Sequence, residues 1–158
     1  MASELRVDRI IPVNGVPTDG GGGIIQVVRV HKDDTFSTTS TSFTNITGLS
    51  ASITPLSSSS KILCIASIMI GSTNIGADNY LRLLRGSTAL GNDLLIRTGS
   101  TSLCLNYNFS RLDSPATTSS VTYTIQTKAE VNDVVINRRG SGSPTEGSST
   151  LILMEVSG

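Results

Sequence analysis

The chain has 158 residues, with 12 basic and 12 acidic side chains and a formal net charge of zero. This length predicts one domain with a single core and a short additional segment. The balanced charge provides no overall field for nucleic acid or for an anionic membrane, so we expect neither nucleic-acid binding nor membrane insertion. The longest strongly apolar run, 62–70, is too short to span a bilayer, and no secretory signal is recognisable.

Residues 1–23 differ in composition from the rest of the chain, since they combine apolar side chains with a terminal run of four glycines, Gly20–Gly23. Glycine loses more backbone freedom on ordering than other residues, so this run predicts a hinge. It lacks the Lys-Ser/Thr pair that follows the glycines of a phosphate-binding loop. We therefore divide the chain into an N-terminal docking arm with its Gly hinge, 1–23, and a domain, 24–158. The apolar cluster expected to dock consists of Leu5, Val7, Ile10 and Ile11.

Beyond the hinge, short segments with continuous or period-two apolar residues recur, whereas helical periodicity is nearly absent. Turn-forming residues separate these segments and leave no room for crossover helices, which indicates antiparallel pairing. The predicted fold is an all-β, antiparallel jelly-roll sandwich of about eight strands with an extended N-terminal arm. The predicted strands are Ile24–His31, Leu49–Thr54, Lys61–Ile70, Asn79–Arg85, Asp93–Arg97, Ser102–Phe109, Ser120–Ala129 and Thr150–Val156, with a further short segment at Ser42–Ile46.

The predicted strands are of two kinds. Ser120–Ala129 and Leu49–Thr54 alternate apolar and polar residues, which is typical of strands with one face in a core and one in water. In contrast, Ile24–Val30, Ile62–Ile70 and Leu151–Val156 carry apolar side chains on both faces. Because a two-layer sandwich buries only one face of each sheet, we expect another subunit to cover the second face if these strands share a sheet. The predicted trimer-interface residues are Leu63, Ile65, Met69, Ile152 and Met154.

Signals for enzymatic chemistry are weak. His31 is the single histidine, which excludes a multi-histidine metal site, and no carboxylate spacing indicates a catalytic pair. The adjacent Asp33 and Asp34 are interpreted as a turn, with a calcium role as the alternative. Cys64 and Cys104 are interpreted as reduced thiols, with a disulfide as the alternative. We expect a protein without catalytic activity, cofactor or bound metal.

Two further groups of residues could recognise a ligand. The arginines could form a patch for phosphate or acidic glycans, although solvated or intersubunit charges are the simpler interpretation; they are Arg82, Arg85, Arg97, Arg111, Arg138 and Arg139. With three Tyr, three Phe and no Trp, the chain has little material for stacking against sugars or bases. Phe43, Tyr80 and Tyr107 could supply one small aromatic platform.

The pattern of eight strands, with the first, third and last apolar on both faces, resembles the jelly roll of the tumour-necrosis-factor and complement globular-head superfamily. In that family the first, third, sixth and last strands contribute to an inner sheet that packs around a threefold axis. The resemblance therefore implies a homotrimer. The sixth predicted strand, Ser102–Phe109, departs from the family pattern because it alternates apolar and polar residues, which implies a partly polar axis.

Several stretches resemble small structural proteins and fibre tips of tailed bacteriophages, notably those that infect marine cyanobacteria; they are Ser3–Pro12, Leu83–Thr88, Tyr123–Lys128, Ile136–Arg138 and Ser149–Val156. This resemblance implies a non-enzymatic virion component, made in the host cytoplasm and attached by its N-terminal arm. A tail fibre or knob and a capsid-decoration protein both fit it. The implied partners are other copies of the chain and other virion proteins of the head or tail. The alternative is a receptor-binding tail-fibre tip that recognises a host-surface glycan or protein.

Overall fold

The computed structural model describes residues 23–142, 145 and 147–157, which form eleven strands and no helix. The expected docking arm, with Leu5, Val7, Ile10 and Ile11, lies outside the described residues, as does most of the glycine run. The strands are β1 Ile24–Lys32, β2 Phe36–Thr38, β3 Thr44–Ile53, β4 Lys61–Ser72, β5 Asn79–Arg85, β6 Thr88–Ala89, β7 Leu94–Ile96, β8 Cys104–Asp113, β9 Val121–Ala129, β10 Val134–Ile136 and β11 Ser149–Val156.

Two antiparallel sheets contain these strands. Sheet A has the order β1-β11-β4-β8, and the short β10 pairs with the far end of β4 and carries β2. Sheet B has the order β3-β9-β5-β7, with the short β6 also paired to β5. The eight principal strands pass between the two sheets in the connectivity of a jelly roll. The predicted all-β, antiparallel sandwich is therefore confirmed, and the predicted first, third, sixth and last strands do form one sheet.

The core lies between the sheets and follows the period-two alternation of their strands. On β4 the inward side chains are all 0–1% exposed, whereas the alternate residues Leu63, Ile65 and Met69 are only partly buried on the outer face. Tyr123 and Ile125 of β9 face them from sheet B and are fully buried. Each such aliphatic side chain contributes about 1.5–3 kcal/mol when it leaves water. The inward residues of β4 are Ile62, Cys64, Ala66, Ile68 and Ile70.

The predicted segments Ser42–Ile46 and Leu49–Thr54 belong to a single strand, β3, interrupted by a bulge. Asn45 pairs with Gln126, and Ser50 pairs with Thr124. Between these two pairs β3 has four residues whereas β9 has one, so β3 bulges here. Gly48 sits in this bulge with φ of 86°, a left-handed conformation that other residues rarely adopt. The bulge lets Ile46 and Leu49 both face the core although they are three positions apart. This break in the alternation is why the sequence pattern divides the strand in two.

A polar contact joins the two sheets. Asp113 of β8 accepts a hydrogen bond from the Tyr123 hydroxyl at 2.7 Å and pairs with Arg85 of β5, whose Nη1 lies 2.9 Å from both carboxylate oxygens. Tyr123 is fully buried, and the Asp113 side chain is 10% exposed. Burial raises the pKa of Tyr123 above its usual value, and the hydrogen bond to the Asp113 carboxylate raises it further.

Some observed strands differ from the predicted ones. β8 runs four residues beyond the predicted Ser102–Phe109, because it pairs with β4 over its whole length, from Cys104 opposite Gly71 to Asp113 opposite Ile62. The three short strands β2, β6 and β10 have no counterpart among the predicted strands. At two or three residues each, such segments are too short to show a period and depend on the strand beside them.

Candidate functional site

The outer face of sheet A carries a row of four apolar side chains that crosses all four principal strands. Val27 pairs with Met154, Met154 with Leu63, and Leu63 with Leu112. Directly opposite residues in neighbouring strands have their Cβ atoms about 4.5–5.5 Å apart, so the row is continuous. Val27 and Leu112, at its two ends, are 55% and 59% exposed. We call this row the apolar row of sheet A.

The adjacent row extends the apolar surface at its centre. Ile152 pairs with Ile65, and Arg29 and Ser110 flank them on the outer strands. Both isoleucines are partly buried, as are Leu63 and Met154 in the row above them. The two rows thus form one surface that is apolar in the middle and faces away from the core.

The structure therefore brings together four of the five predicted interface residues, Leu63, Ile65, Ile152 and Met154, as direct cross-strand neighbours. Met69 lies on the same face but apart from them, opposite Asn106 and against the backbone of Gly147, where an added Cβ would lie 2.0 Å from the Met69 sulfur.

Sequence reasoning missed both ends of the apolar row. Val27 could have been found from the alternation in the first strand, where it stands opposite in phase to the inward-facing Val28 and Val30. Leu112 gave no such signal, because it lies among polar residues beyond the predicted end of its strand.

The other half of the same face is polar. His31 pairs with Thr150, Thr150 with Ser67, and Ser67 with Asn108. His31 Nδ1 lies 3.2 Å from the Thr150 hydroxyl, and its Nε2 lies 2.6 Å from Asp33. The Asp33 side chain is 77% exposed, so water competes for this contact and we interpret it as a surface interaction rather than a catalytic one.

The acidic residues near His31 have separate partners. Asp34 accepts a hydrogen bond from Lys32 Nζ at 2.8 Å, and this bond holds the pKa of Asp34 below its usual value. Asp33 contacts His31 instead, so the two neighbouring carboxylates do not converge. Within the described part of the chain, no group of three or more His, Cys, Asp or Glu residues could hold a metal ion.

The two cysteines lie far apart. Cys64 is opposite Arg111 and Cys104 is opposite Gly71, so their positions are seven residues apart along β4 and they lie on opposite faces of sheet A. At about 3.3 Å per strand residue, this distance excludes a disulfide between them. Burial raises the pKa of the Cys64 thiol to about 12, and the nearby Asp113 carboxylate adds to the effect. Cys64 is therefore an unreactive core residue.

The arginines do not form a single patch. Arg85 pairs with Asp113, and Arg97 pairs with Asp78 and thereby lowers the pKa of that carboxyl. Arg111 lies on sheet A near the ring of Phe109, whereas Arg82 lies on sheet B. These four arginines are thus dispersed over the sandwich, and carboxylates neutralise Arg85 and Arg97.

The predicted aromatic platform is assembled in part. Phe43 and Tyr80 are brought together on the outer face of sheet B, where both rings contact the ammonium group of Lys128. Tyr107 lies elsewhere, on β8, and its hydroxyl donates to the carbonyl of Arg97 at 3.1 Å. The sequence showed the aromatic residues but not that Lys128 would stand between two of them, because this depends on the register of β5 and β9.

No family model matches the chain, and no curated protein matches its sequence. Among solved structures, the VP2 subviral particle of infectious bursal disease virus is similar over 92% of this chain and 43% of that chain, with a TM-score of 0.46 and 11% identity. The Gt strain of the same virus is similar over 94% and 43%, with a TM-score of 0.45 and 14% identity. Dimeric latent PorU from Porphyromonas gingivalis is similar over 87% and 14%, with a TM-score of 0.44 and 10% identity.

The chain thus spans less than half the length of each of these proteins. Similarity at this level carries no argument about family or function. In the described residues, there is also no helix with the length and apolar character needed to cross a membrane.

Proposed function

We propose that the protein is a non-enzymatic structural component of a phage particle, and that it assembles as a homotrimer through the outer face of sheet A. The observation that carries this proposal is the apolar row of Val27, Met154, Leu63 and Leu112, which crosses four strands on the side away from the core. A continuous exposed apolar surface typically marks an interaction site. The trimeric state and the phage particle rest on the sequence resemblances.

The energetics favour covering this surface. Burying a fully exposed Val or Leu side chain contributes about 1.5–3 kcal/mol, and Val27 and Leu112 are each a little more than half exposed. Covering the two therefore contributes about 2–3 kcal/mol for each protomer. The polar row around His31 and Thr150 would meet the same neighbouring copies with hydroxyl, imidazole and amide groups. Such groups fix the relative orientation of the subunits more than they add to affinity.

Sedimentation of the purified full chain tests the trimer. We expect a trimer for the unaltered protein and a shift toward monomer for Leu112→Asp, because a carboxylate would then be desolvated in the interface. Ile75→Asp is the matched control, since Ile75 is 62% exposed and lies outside sheet A. A stable, soluble monomer for the unaltered chain would overturn the trimer, and equal effects of the two substitutions would overturn its assignment to the outer face of sheet A.

We further propose that residues 1–19 attach the trimer to the particle, with other virion proteins of the head or tail as partners. The support is the sequence alone: Leu5, Val7, Ile10 and Ile11 form an apolar cluster that the glycine run separates from the domain. Deleting residues 1–19 should leave a trimer that no longer enters particles, as measured by its copy number in purified virions. Normal copy number for the truncated protein would show that the arm is not the anchor.

The position in the particle is tested by the same preparation. Many copies that co-purify with heads would indicate capsid decoration, whereas a few copies on tails would indicate a fibre or knob.

A further inference from the structure

The outer face of sheet B carries a compact group of two cations and two aromatic rings. Lys128 Nζ lies 4.4 Å from the centroid of the Tyr80 ring and 5.1 Å from that of Phe43. The guanidinium carbon of Arg82 lies 3.8 Å from the same Phe43 centroid. Strand register builds this group, because Tyr80 pairs with Lys128 and Arg82 with Gln126. We call these four residues, Phe43, Tyr80, Arg82 and Lys128, the Lys128 cluster.

Within the described residues, the two cations of the cluster lack the ion pairs that other basic side chains form. Lys32, Arg85 and Arg97 each pair with an aspartate. Of the residues that the structure describes, none forms such an ion pair with Lys128 or Arg82.

Neutral groups hold Arg82 instead. Its Nε donates to Gln126 Oε1 at 2.8 Å, and Gln126 donates in turn to Asn45 at 2.6 Å. Two partly buried like charges that share one ring repel each other, and a bound anion would relieve this repulsion.

Beside the cluster lies a small cavity of about 230 Å³, lined by Thr41, Tyr80, Lys128, Ala129 and Glu130. The side chains of these residues include an ammonium donor, a carboxylate acceptor and two hydroxyl groups. Glu130 does not form an ion pair with Lys128, so the carboxylate does not neutralise the ammonium group directly. A larger cavity of about 390 Å³ is lined by Arg85, but Asp113 already neutralises that arginine. Of the two cavities, the one at Lys128 is thus suited to an anion that also carries hydroxyl groups.

We propose that the Lys128 cluster binds a carboxylate-bearing sugar, such as a uronate unit of an acidic surface polysaccharide. Lys128 meets the carboxylate, and Glu130 and Thr41 meet the sugar hydroxyls; Arg82 does not line the cavity and adds positive charge beside it. The cavity is smaller than the roughly 300–1,000 Å³ typical of drug-sized ligands, so it accommodates about one sugar unit.

A nucleic-acid strand fits this surface less well. A cation already covers a face of each ring, which leaves less room for stacked bases. The site lies on sheet B and so stays exposed when the outer face of sheet A is covered. It does not depend on the trimer.

Titration of the full chain with trigalacturonate, followed by NMR or calorimetry, tests this assignment. We expect saturable binding that falls at least tenfold with the fully methyl-esterified trisaccharide, which keeps the rings and hydroxyls but loses the charges. Lys128→Met should weaken binding at least tenfold, and Lys128→Arg should retain it. Arg111→Met is the matched control, because Arg111 also lies near a ring, at 5.9 Å from the Phe109 centroid, but on the other sheet.

The possible results separate clearly once thermal unfolding has shown that the variants are folded. Loss with Lys128→Met but not with Arg111→Met supports the assignment. Equal binding of the ester, no effect of Lys128→Met, or no saturable binding to the unaltered chain would overturn it. Acetate that binds as tightly as trigalacturonate would show a simple anion site, and tighter Lys128-dependent binding of oligo-dT would show a nucleic-acid site; either result overturns the sugar assignment. Because sedimentation reads out the trimer separately, failure of one proposal is distinguishable from failure of the other.

Discussion

The carboxylate of Asp113 accepts a hydrogen bond from the Tyr123 hydroxyl. Removing the carboxylate should destabilise the sandwich more than removing the hydroxyl. In Tyr123→Phe, one hydrogen bond to a charged group is lost, which costs about 1.5–3 kcal/mol, but Asp113 keeps its pairing with Arg85. In Asp113→Ala, the buried Tyr123 hydroxyl loses its acceptor, at about 1–3 kcal/mol. Arg85 also loses its carboxylate; because its side chain is 30% exposed and reaches water, we add only about 1 kcal/mol.

We therefore expect about 2 kcal/mol for Tyr123→Phe and about 3 kcal/mol, within a range of about 2–4 kcal/mol, for Asp113→Ala. The double variant should cost less than the sum of the single variants by at least about 1 kcal/mol, because both remove the same hydrogen bond. Urea unfolding followed by far-ultraviolet circular dichroism measures these free energies. All variants are compared at one protein concentration, since association adds to apparent stability.

Tyr107→Phe is the matched control, because the Tyr107 hydroxyl bonds only to a backbone carbonyl and is exposed. Its cost should stay below about 0.5 kcal/mol. Additive costs in the double variant would refute the reasoning, and so would an Asp113→Ala variant no less stable than Tyr123→Phe.

Three further changes test the core, a close backbone contact and the acid limit of stability. Ile68→Ala, at a fully buried position of β4, should lower the free energy of unfolding in urea by about 2–5 kcal/mol, whereas Ile68→Val should lower it by only ~1 kcal/mol. Equal costs for the two variants would contradict the assigned core. Gly140→Ala should lower Tm by several degrees, since the added Cβ would lie 1.9 Å from the Ser72 carbonyl oxygen, whereas Gly99→Ala, with no atom within 4 Å of its Cβ, should not. Burial alone would raise the pKa of Glu155, but hydrogen bonds to its carboxylate outweigh burial and hold the pKa below 4.5. The contribution of Glu155 to folding stability is therefore complete above pH 4.5 and is lost as the pH falls through the lower pKa of the folded state. Glu155→Gln should flatten the acid side of a plot of Tm against pH. An unchanged slope would contradict this.

The sequence alone determined the class of fold and the direction of most strands' side chains. In Lys61–Ile70, alternation divides the side chains into two sets, and the structure places Ile62 and Ile68 in the core and Leu63 and Ile65 outside, as the pattern indicates. This works because the side-chain period of a strand is two whatever the partner strands are. The same local rule identified strands with two apolar faces, and from them the expectation of a covered outer surface.

Only the tertiary structure decided which side chains meet. The two halves of β3 are one strand because Gly48 bulges between them, and β8 reaches Asp113 because β4 lies beside it along its whole length. Lys128 stands between Phe43 and Tyr80 although 85 and 48 positions separate it from them in the printed sequence. Register and sheet order arise from pairing between distant segments, and a local period carries no information about which residue of one strand lies opposite which residue of another.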